Sequence, residues 1–269
     1  MGLTKEQVAR YSRQLILPEI GVKGQERLLG SSVVIIGAGG LGSPAALYLA
    51  AAGVGTIGII DREIVEPSNL HRQVLHVSAD IGRAKTASAK ARLEAINPDI
   101  RVNAIQESLS AVNALEVLEP YDLVLDGSDN FPTRYLVNDA CVMLEKPFVY
   151  AGVVHFGGQL MCIVPKHSAC FRCVFPEPPV HGEIPSCQEA GVLGATVGII
   201  GSLMAQEALK LLVGIGQPLV NRLLIVDGKL GCVREVSVQR DARCAVCGDN
   251  PAIRGLVMID ELNCEARLT

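Results

Sequence analysis

A chain of 269 residues with a formal charge of −4 can bury a sizeable core as one large domain or two small ones, and carries no electrostatic footprint for nucleic acid or an anionic membrane. With 49% hydrophobic residues, 4% aromatics and no tryptophan, the core has to be built from valine, isoleucine, leucine and alanine. The charged start at residues 1–7 lacks the apolar stretch of a secretory leader, the uncharged stretch 191–206 is too short and glycine-rich to span a bilayer, and an odd count of nine cysteines points to a reducing compartment, so a cytoplasmic protein is expected.

Thr4 and Gln7 have capping-box spacing for a helix running to about residue 17, with Val8, Tyr11 and Leu15 on one face and Pro18 as its stop. Arg10 and Arg13 point away from that stripe, as a solvated face would. A short helix at 24–29 leads into residues 33–61. There an apolar run ends in Gly37-Ala38-Gly39-Gly40-Leu41-Gly42, a helix of small residues follows, and a second apolar run closes on Asp61. Strand, glycine turn, helix, strand and acid come in the order a nucleotide-binding βαβ unit requires. The glycines let the backbone approach phosphate oxygens at a helix N-terminus. Asp61, roughly 20 residues past the turn, is placed to accept from ribose hydroxyls. The turn alone does not separate a redox dinucleotide from ATP.

Residues 66–73, Glu-Pro-Ser-Asn-Leu-His-Arg-Gln, form a donor-rich loop leaving the carboxyl end of the second strand, the edge at which open α/β sheets bind ligands. Lys85 lies at the start of a helix predicted over 84–96, which ends at Asn97-Pro98. Arg72 and Lys85 therefore bring two cations toward the nucleotide, although either one alone could be an ordinary surface charge. His71 has no acid partner in the sequence and reads as a loop residue. A strand at 100–105, a helix at 111–118 and a buried strand at 122–126 follow, and that last strand's carboxyl end carries Ser128-Asp129-Asn130. A carboxylate just past a parallel strand, at the edge of the glycine turn, suits Mg2+ held against phosphates. Asp129 could also cap the helix predicted over 131–144.

Beyond a strand at 146–150 the pattern changes. A short strand at 159–164 precedes an irregular, proline-rich crossover at 175–186, and a long helix at 192–213 has small residues suited to close packing. Late antiparallel strands are predicted at 223–227 and 232–238. Cys170-x-x-Cys173 and Cys244-x-x-Cys247 can turn four thiolates toward one point, a tetrahedral shell that suits Zn2+. With every position filled by protein the metal is structural, a clip between the crossover and the tail. Cys187, just before the long helix, reads either as a nucleophile that accepts an acyl or sulfur group, its thiolate stabilised by the helix dipole, or as a small buried loop residue. Cys141, Cys162, Cys232 and Cys264 read as structural or incidental. The expected fold is α/β, a Rossmann-like doubly wound sheet, mostly parallel with late antiparallel strands, plus the four-cysteine zinc clip. One domain covers 1–269: N-terminal helices at 1–30, a nucleotide-binding half at 31–150, a substrate-binding half with the zinc site at 151–247, and a tail at 248–269.

The ordered set GAGGLG (37–42), Asp61, Ser-Asn-Leu-His-Arg-Gln (68–73), Lys85, Ser-Asp-Asn (128–130) and the paired CxxC motifs resembles the ubiquitin-activating-like adenylyltransferases of the MoeB/ThiF group. The similarity runs from Thr4 to about Cys247, and the opening Arg10-Tyr-Ser-Arg-Gln-Leu-Ile-Leu17 matches too. It implies ATP with Mg2+: Gly37, Gly39, Gly40 and Gly42 at the phosphate turn, Asp61 on the ribose, Asn69, Arg72 and Lys85 on the triphosphate, and Asp129 on Mg2+. Ser68 and Asn130 complete the binding set. In this family the arginine corresponding to Arg13 reaches into a partner subunit's ATP site, which implies a homodimer. The implied substrate is the C-terminal Gly-Gly carboxylate of a small ubiquitin-like sulfur-carrier protein, adenylated with release of pyrophosphate for molybdopterin- or thiamine-type cofactor biosynthesis. No nucleic acid or membrane partner is implied. A carboxylate is already ionised at neutral pH, so no general base is required. Arg13, Arg72, Lys85 and Mg2+ instead cancel the repulsion between two anions. Cys187 matches a cysteine that some members use covalently, and its role stays open. Some relatives carry a sulfurtransferase domain beyond this point, so a chain ending at Thr269 is expected to use a separate sulfur donor or only to adenylate. The alternatives are an adenylating relative acting on a tRNA or a peptide, an NAD-dependent oxidoreductase, which leaves Arg72, Lys85 and Asp129 unexplained, and a noncatalytic zinc-clipped scaffold.

Overall fold

The strand before the glycine turn, β1 (Ser32–Ile36), is apolar at successive positions because both of its faces are covered: Val33 and Ile35 enter one core, Val34 and Ile36 the other. The computed structural model describes residues 2–179 and 190–257. Its strands join in one eight-stranded sheet: β1, β2 (Thr56–Ile60), β3 (Arg101–Ile105), β4 (Leu123–Asp126), β5 (Phe148–Val154), β6 (Gly157–Ile163), β7 (Arg222–Asp227) and β8 (Cys232–Ser237). Their spatial order is β3-β2-β1-β4-β5-β6-β7-β8. Pairing is parallel from β3 through β5 and antiparallel from β5 to β8. The doubly wound sheet and its late antiparallel strands are thus as the sequence predicts. β5 extends to Val154 and turns at once into β6, so the predicted strand at 146–150 is the first part of a hairpin arm.

The helices are α1 (Lys5–Arg10), α2 (Ser12–Leu15), α3 (Gly21–Gly30), α4 (Gly42–Ala52), α5 (Lys85–Ile96), α6 (Ala114–Leu118), α7 (Phe131–Met143), α8 (Phe171–Val174) and α9 (Gly194–Val213). One core lies between the sheet and α4, α5 and α9, the other between the sheet and α6, α7 and α8. The capping box at Thr4 and Gln7 forms, but the single N-terminal helix predicted to residue 17 breaks at Tyr11. The Tyr11 ring is buried and its hydroxyl accepts from Asn97 Nδ2 at 2.8 Å, while Val8 stays 46% exposed. Burying one aromatic ring, rather than an apolar stripe, therefore sets the course of the N-terminus.

α9 is the one helix among the described residues that is long and apolar enough to cross a membrane, with a mean hydropathy of 1.4. Half of it is buried inside the fold, against α4, β5 and β6. Its small residues permit the close approach predicted for them: a Cβ at Gly201 would lie 2.6 Å from the Leu41 carbonyl oxygen.

Candidate active site

β1 lies between β2 and β4, so the chain winds outward from it in both directions and a crevice opens at the carboxyl ends of β1 and β4. A cleft of about 1500 Å³ occupies this edge. Its floor is the glycine turn. Gly37 adopts φ +92°, a left-handed conformation that favours glycine, and a Cβ there would meet the Gly127 carbonyl oxygen at 3.2 Å. A Cβ at Gly42 would fall 1.9 Å from the Gly37 carbonyl oxygen, so the turn closes only around glycine. At Gly39 nothing lies nearer than 3.8 Å to the position of a Cβ, which leaves open backbone for a phosphate group.

Asp61 closes β2 beside this turn. Its carboxylate accepts from the Ala38 backbone N–H at 2.9 Å and from that of Glu63 at 2.8 Å. Burial is the largest influence on the group and pushes its pKa up. The next loop forms a short 3-10 turn at Pro67–Asn69, in which Asn69 Oδ1 accepts from the Glu66 N–H at 3.1 Å. Arg72 donates to the Ser68 carbonyl at 2.9 Å and also contacts His71 Nε2 at 2.9 Å. Lys85, on the first turn of α5, is buried, and its ammonium donates to Glu63 Oε2 at 2.5 Å.

At the end of β4, Asp129 is exposed on the cleft wall. Asn130, not Asp129, caps α7: its Oδ1 accepts from the Thr133 N–H at 2.9 Å. Asp129's carboxylate is thereby left to the cleft. Gly37, Gly39, Gly40, Asp61, Ser68, Asn69, Arg72, Lys85, Asp129 and Asn130 all line this one space, and Gly42 stands behind it in the turn. Arg13 does not line the cleft of its own chain. It is exposed on α2, with no hydrogen bond or ion pair to the described residues. Cys187 and Cys264 lie outside the described residues.

Sequence reasoning missed several groups at this edge. Glu63, Lys85's partner, is only two residues from Asp61 yet has no motif of its own. Gln73 Oε1, Asp126 Oδ2 and Arg134 Nε are buried with no hydrogen-bond partner among the described residues. Gln73 and Arg134 line the cleft, and Asp126 ends the strand beneath it. Burial pushes Asp126's pKa up, although its Oδ1 accepts from Ser128 Oγ at 2.6 Å. His76 is buried under the turn between the Ala38 carbonyl, 3.0 Å away, and Ser88 Oγ, 2.8 Å away. Nothing in the sequence distinguished His76 from a surface loop residue.

In the core between the sheet and α6, α7 and α8, the Sγ atoms of Cys170, Cys173, Cys244 and Cys247 all lie within 4.8 Å of one another. Individual separations of 3.5, 3.8 and 3.4 Å match the edge of about 3.8 Å expected for four sulfurs at about 2.3 Å from Zn2+. The residues fit a closed tetrahedral zinc site. Hydrogen bonding among the four thiols pushes the pKa values of Cys173 and Cys244 down and those of Cys170 and Cys247 up. The cluster is bolted to α7 as well as to the tail. Arg172, inside the first CxxC, makes a buried bidentate pair with Asp139 at 2.8 and 2.7 Å, and the Phe171 N–H donates to Asn138 Oδ1 at 2.8 Å. Cys141 and Cys162 are buried thiols whose pKa values are pushed up by burial.

A glycine-turn cleft at the switch point of a doubly wound sheet, lined by cations and an exposed carboxylate, defines a nucleotide-handling α/β enzyme rather than a scaffold. The ThiF family model matches residues 11–246, and the chain belongs to that family. It is an adenylyltransferase of the MoeB/ThiF type. The chain is 52% identical to the sulfur carrier protein adenylyltransferase of Thermus thermophilus, with 96% of this chain and 97% of the relative aligned. It is 48% identical to the adenylyltransferase and sulfurtransferase MOCS3 of Arabidopsis thaliana, aligning 93% of this chain but only 54% of the relative. Among solved structures, E. coli MccB with ATP superposes with a TM-score of 0.79 at 26% identity, covering 88% of this chain and 74% of that one.

Proposed function

We propose that this enzyme adenylates the C-terminal Gly-Gly carboxylate of a small ubiquitin-like sulfur-carrier protein, using ATP and releasing pyrophosphate, to prepare the carrier for sulfur transfer in molybdopterin- or thiamine-type cofactor biosynthesis. The observation that carries this reading is the convergence of the glycine turn, Asp61, Arg72, Lys85 and Asp129 on a single cleft at the β1/β4 edge. In the reaction a carboxylate oxygen forms a bond to the α-phosphorus, the bond from that phosphorus to the β-phosphate's bridging oxygen breaks, and pyrophosphate leaves. No proton has to be removed, because the attacking carboxylate is ionised at neutral pH.

Asp61 holds the ribose, Gly37, Gly39 and Gly40 bring backbone close to the phosphates, and Ser68 and Asn69 orient the triphosphate. Arg72 and Lys85 neutralise it, Lys85 turning from Glu63 toward the nucleotide. Asp129 holds Mg2+, which when bound would offset charge on the departing pyrophosphate. Arg13 is exposed and outside its own chain's cleft, which supports a homodimer in which it completes the second copy's site. The zinc cluster is structural, and residues 1–269 act as one adenylating domain. Four thiols that must stay reduced support a cytoplasmic location.

The relatives' names support the substrate class. The relative named only as an adenylyltransferase aligns over 97% of its length, whereas those named also as sulfurtransferases align over 54% and 62%. The aligned share thus supports adenylation as the activity of these residues. The test is exchange of labelled pyrophosphate into ATP, with and without a Gly-Gly-terminated carrier. Exchange is expected only with the carrier. Its absence overturns the proposal, and exchange indifferent to the carrier transfers the activity to another acyl substrate.

A further inference from the structure

Arg134 is a buried guanidinium with its binding capacity unfilled. It lies on α7 and is 8% exposed. Its carbon sits 5.3 Å from the centroid of the Phe131 ring and 5.5 Å from that of Tyr150, so two aromatic rings hold it. Its Nη2 donates to the Ser128 carbonyl at 3.3 Å, while its Nε has no partner among the described residues. No described carboxylate forms an ion pair with it. Asp126 feels the charge of Arg134 but makes no hydrogen bond to it, and keeps its own Oδ2 unpartnered as well. A buried guanidinium nitrogen left without a hydrogen-bond acceptor is costly, and such a fork is suited to receive an anion.

The surroundings say which anion. Arg134 lines the cleft on the β4–β5 side, whereas Arg72 and Lys85 approach from the loop after β2 and from α5. The cleft lining also includes Val153 and Val192, a surface for an uncharged tail rather than for polyphosphate. Tyr150 Oη is pinned by Gln159 Nε2 at 2.8 Å, so the ring under the guanidinium does not swing. Opposite, a Cβ on Gly152 would fall 2.9 Å from Tyr150 Oη and 3.2 Å from Arg134 Nη1, so glycine here keeps that face of the fork open. A planar guanidinium fork matches a carboxylate in geometry and charge. Through Ser128 it also touches the loop that presents Asp129.

We propose that Arg134 receives the reacting C-terminal carboxylate of the carrier tail, holding one oxygen while the other faces the α-phosphate. This rests on the carrier-adenylation reading above and names the residue that binds its substrate's reacting end. The experiment compares binding of a Gly-Gly-terminated ubiquitin-fold sulfur carrier as the free acid and as its C-terminal carboxamide. Wild-type enzyme, Arg134→Gln and Arg134→Lys are used, each checked for zinc content and ATP affinity. The wild type is expected to prefer the acid by about tenfold or more, as a charge-assisted hydrogen bond predicts. In Arg134→Gln the preference collapses to within about twofold, ATP affinity changes by less than about threefold, and carrier-dependent exchange falls by about 100-fold. Arg134→Lys, which keeps the charge and covers the case in which the glutamine variant does not fold, regains part of the preference. An unchanged preference in the glutamine variant, or in the lysine variant a loss of ATP affinity matching the loss of carrier affinity, overturns the assignment. A wild type without carrier-dependent exchange instead overturns the underlying reading, so the two failures are distinguishable.

Discussion

Asp129 and Asn130 are neighbours with divided work: the amide caps α7, and the carboxylate is left facing the cleft. Removing that carboxylate as Asp129→Ala should lower carrier-dependent pyrophosphate exchange by about 10³-fold without changing the melting temperature, because the cap is untouched. Normal exchange in the variant would remove Mg2+ from this position. Under the same cleft, His76 Nε2 donates to the Ala38 carbonyl and Nδ1 lies 2.8 Å from Ser88 Oγ. Burial, the largest influence, lowers its pKa below the ordinary 6.5. The unfolded chain therefore takes up this proton first. The resulting stability is complete above the unfolded value and is lost as pH falls from about 6.5 through the folded value. Urea titrations between about pH 7.5 and 5.5 should show wild type losing stability more steeply than His76→Gln. Equal slopes would mean that the ring is already solvated.

Among the elements, β1–turn–α4 has the least freedom. Gly42's missing Cβ lets the first turn of α4 close on the Gly37 carbonyl oxygen, which would otherwise lie 1.9 Å from that atom. Gly42→Ala should cost about 3 kcal/mol in chemical denaturation, at the upper end of overpacking effects, and weaken ATP binding with it. A cost under about 1 kcal/mol would show that the turn can relax. α9 obeys the same logic, with Gly201 admitting the Leu41 carbonyl. α7 is fixed at both ends, by the Asn130 cap near the cleft and by the Asp139–Arg172 pair at the zinc knuckle.

For the molecule as a whole, the switch in strand order puts the cleft at the edge between β1 and β4, while the cysteine cluster joins the α8 knuckle to the segment after β8. The metal site shares a core with one wall of the cleft: the Phe171 ring of the first knuckle packs 4.7 Å from Tyr150, the ring beneath Arg134, so damage at the cluster would reach the cleft through β5 and α7. Cys173→Ser should lose stoichiometric zinc and about 3 kcal/mol, roughly 10 °C in melting temperature for a domain of this size. At a temperature where it remains folded, its exchange activity should survive. Full zinc content measured by atomic absorption would count against the four-sulfur site.

Sequence alone determined what depends on local chemistry and spacing. The glycine run between two apolar strands, the acid closing the second strand, the carboxylate after β4 and the two CxxC knuckles each carry their meaning within a few residues, and all of them lie in the cleft or the cluster. What only the tertiary structure decided involves partners brought together from separate segments or choices between equivalent neighbours. Asn130 rather than Asp129 caps α7, Tyr11 rather than an apolar stripe anchors the N-terminus against Asn97, and Lys85 finds Glu63. Arg134 is the clearest case, because a helical arginine is ordinarily solvated. Here the packing of α7 against β5 buries it between Phe131 and Tyr150 with a hydrogen-bonding nitrogen unused. Periodicity records which face of an element is apolar, but not which polar group the neighbouring element will leave without water.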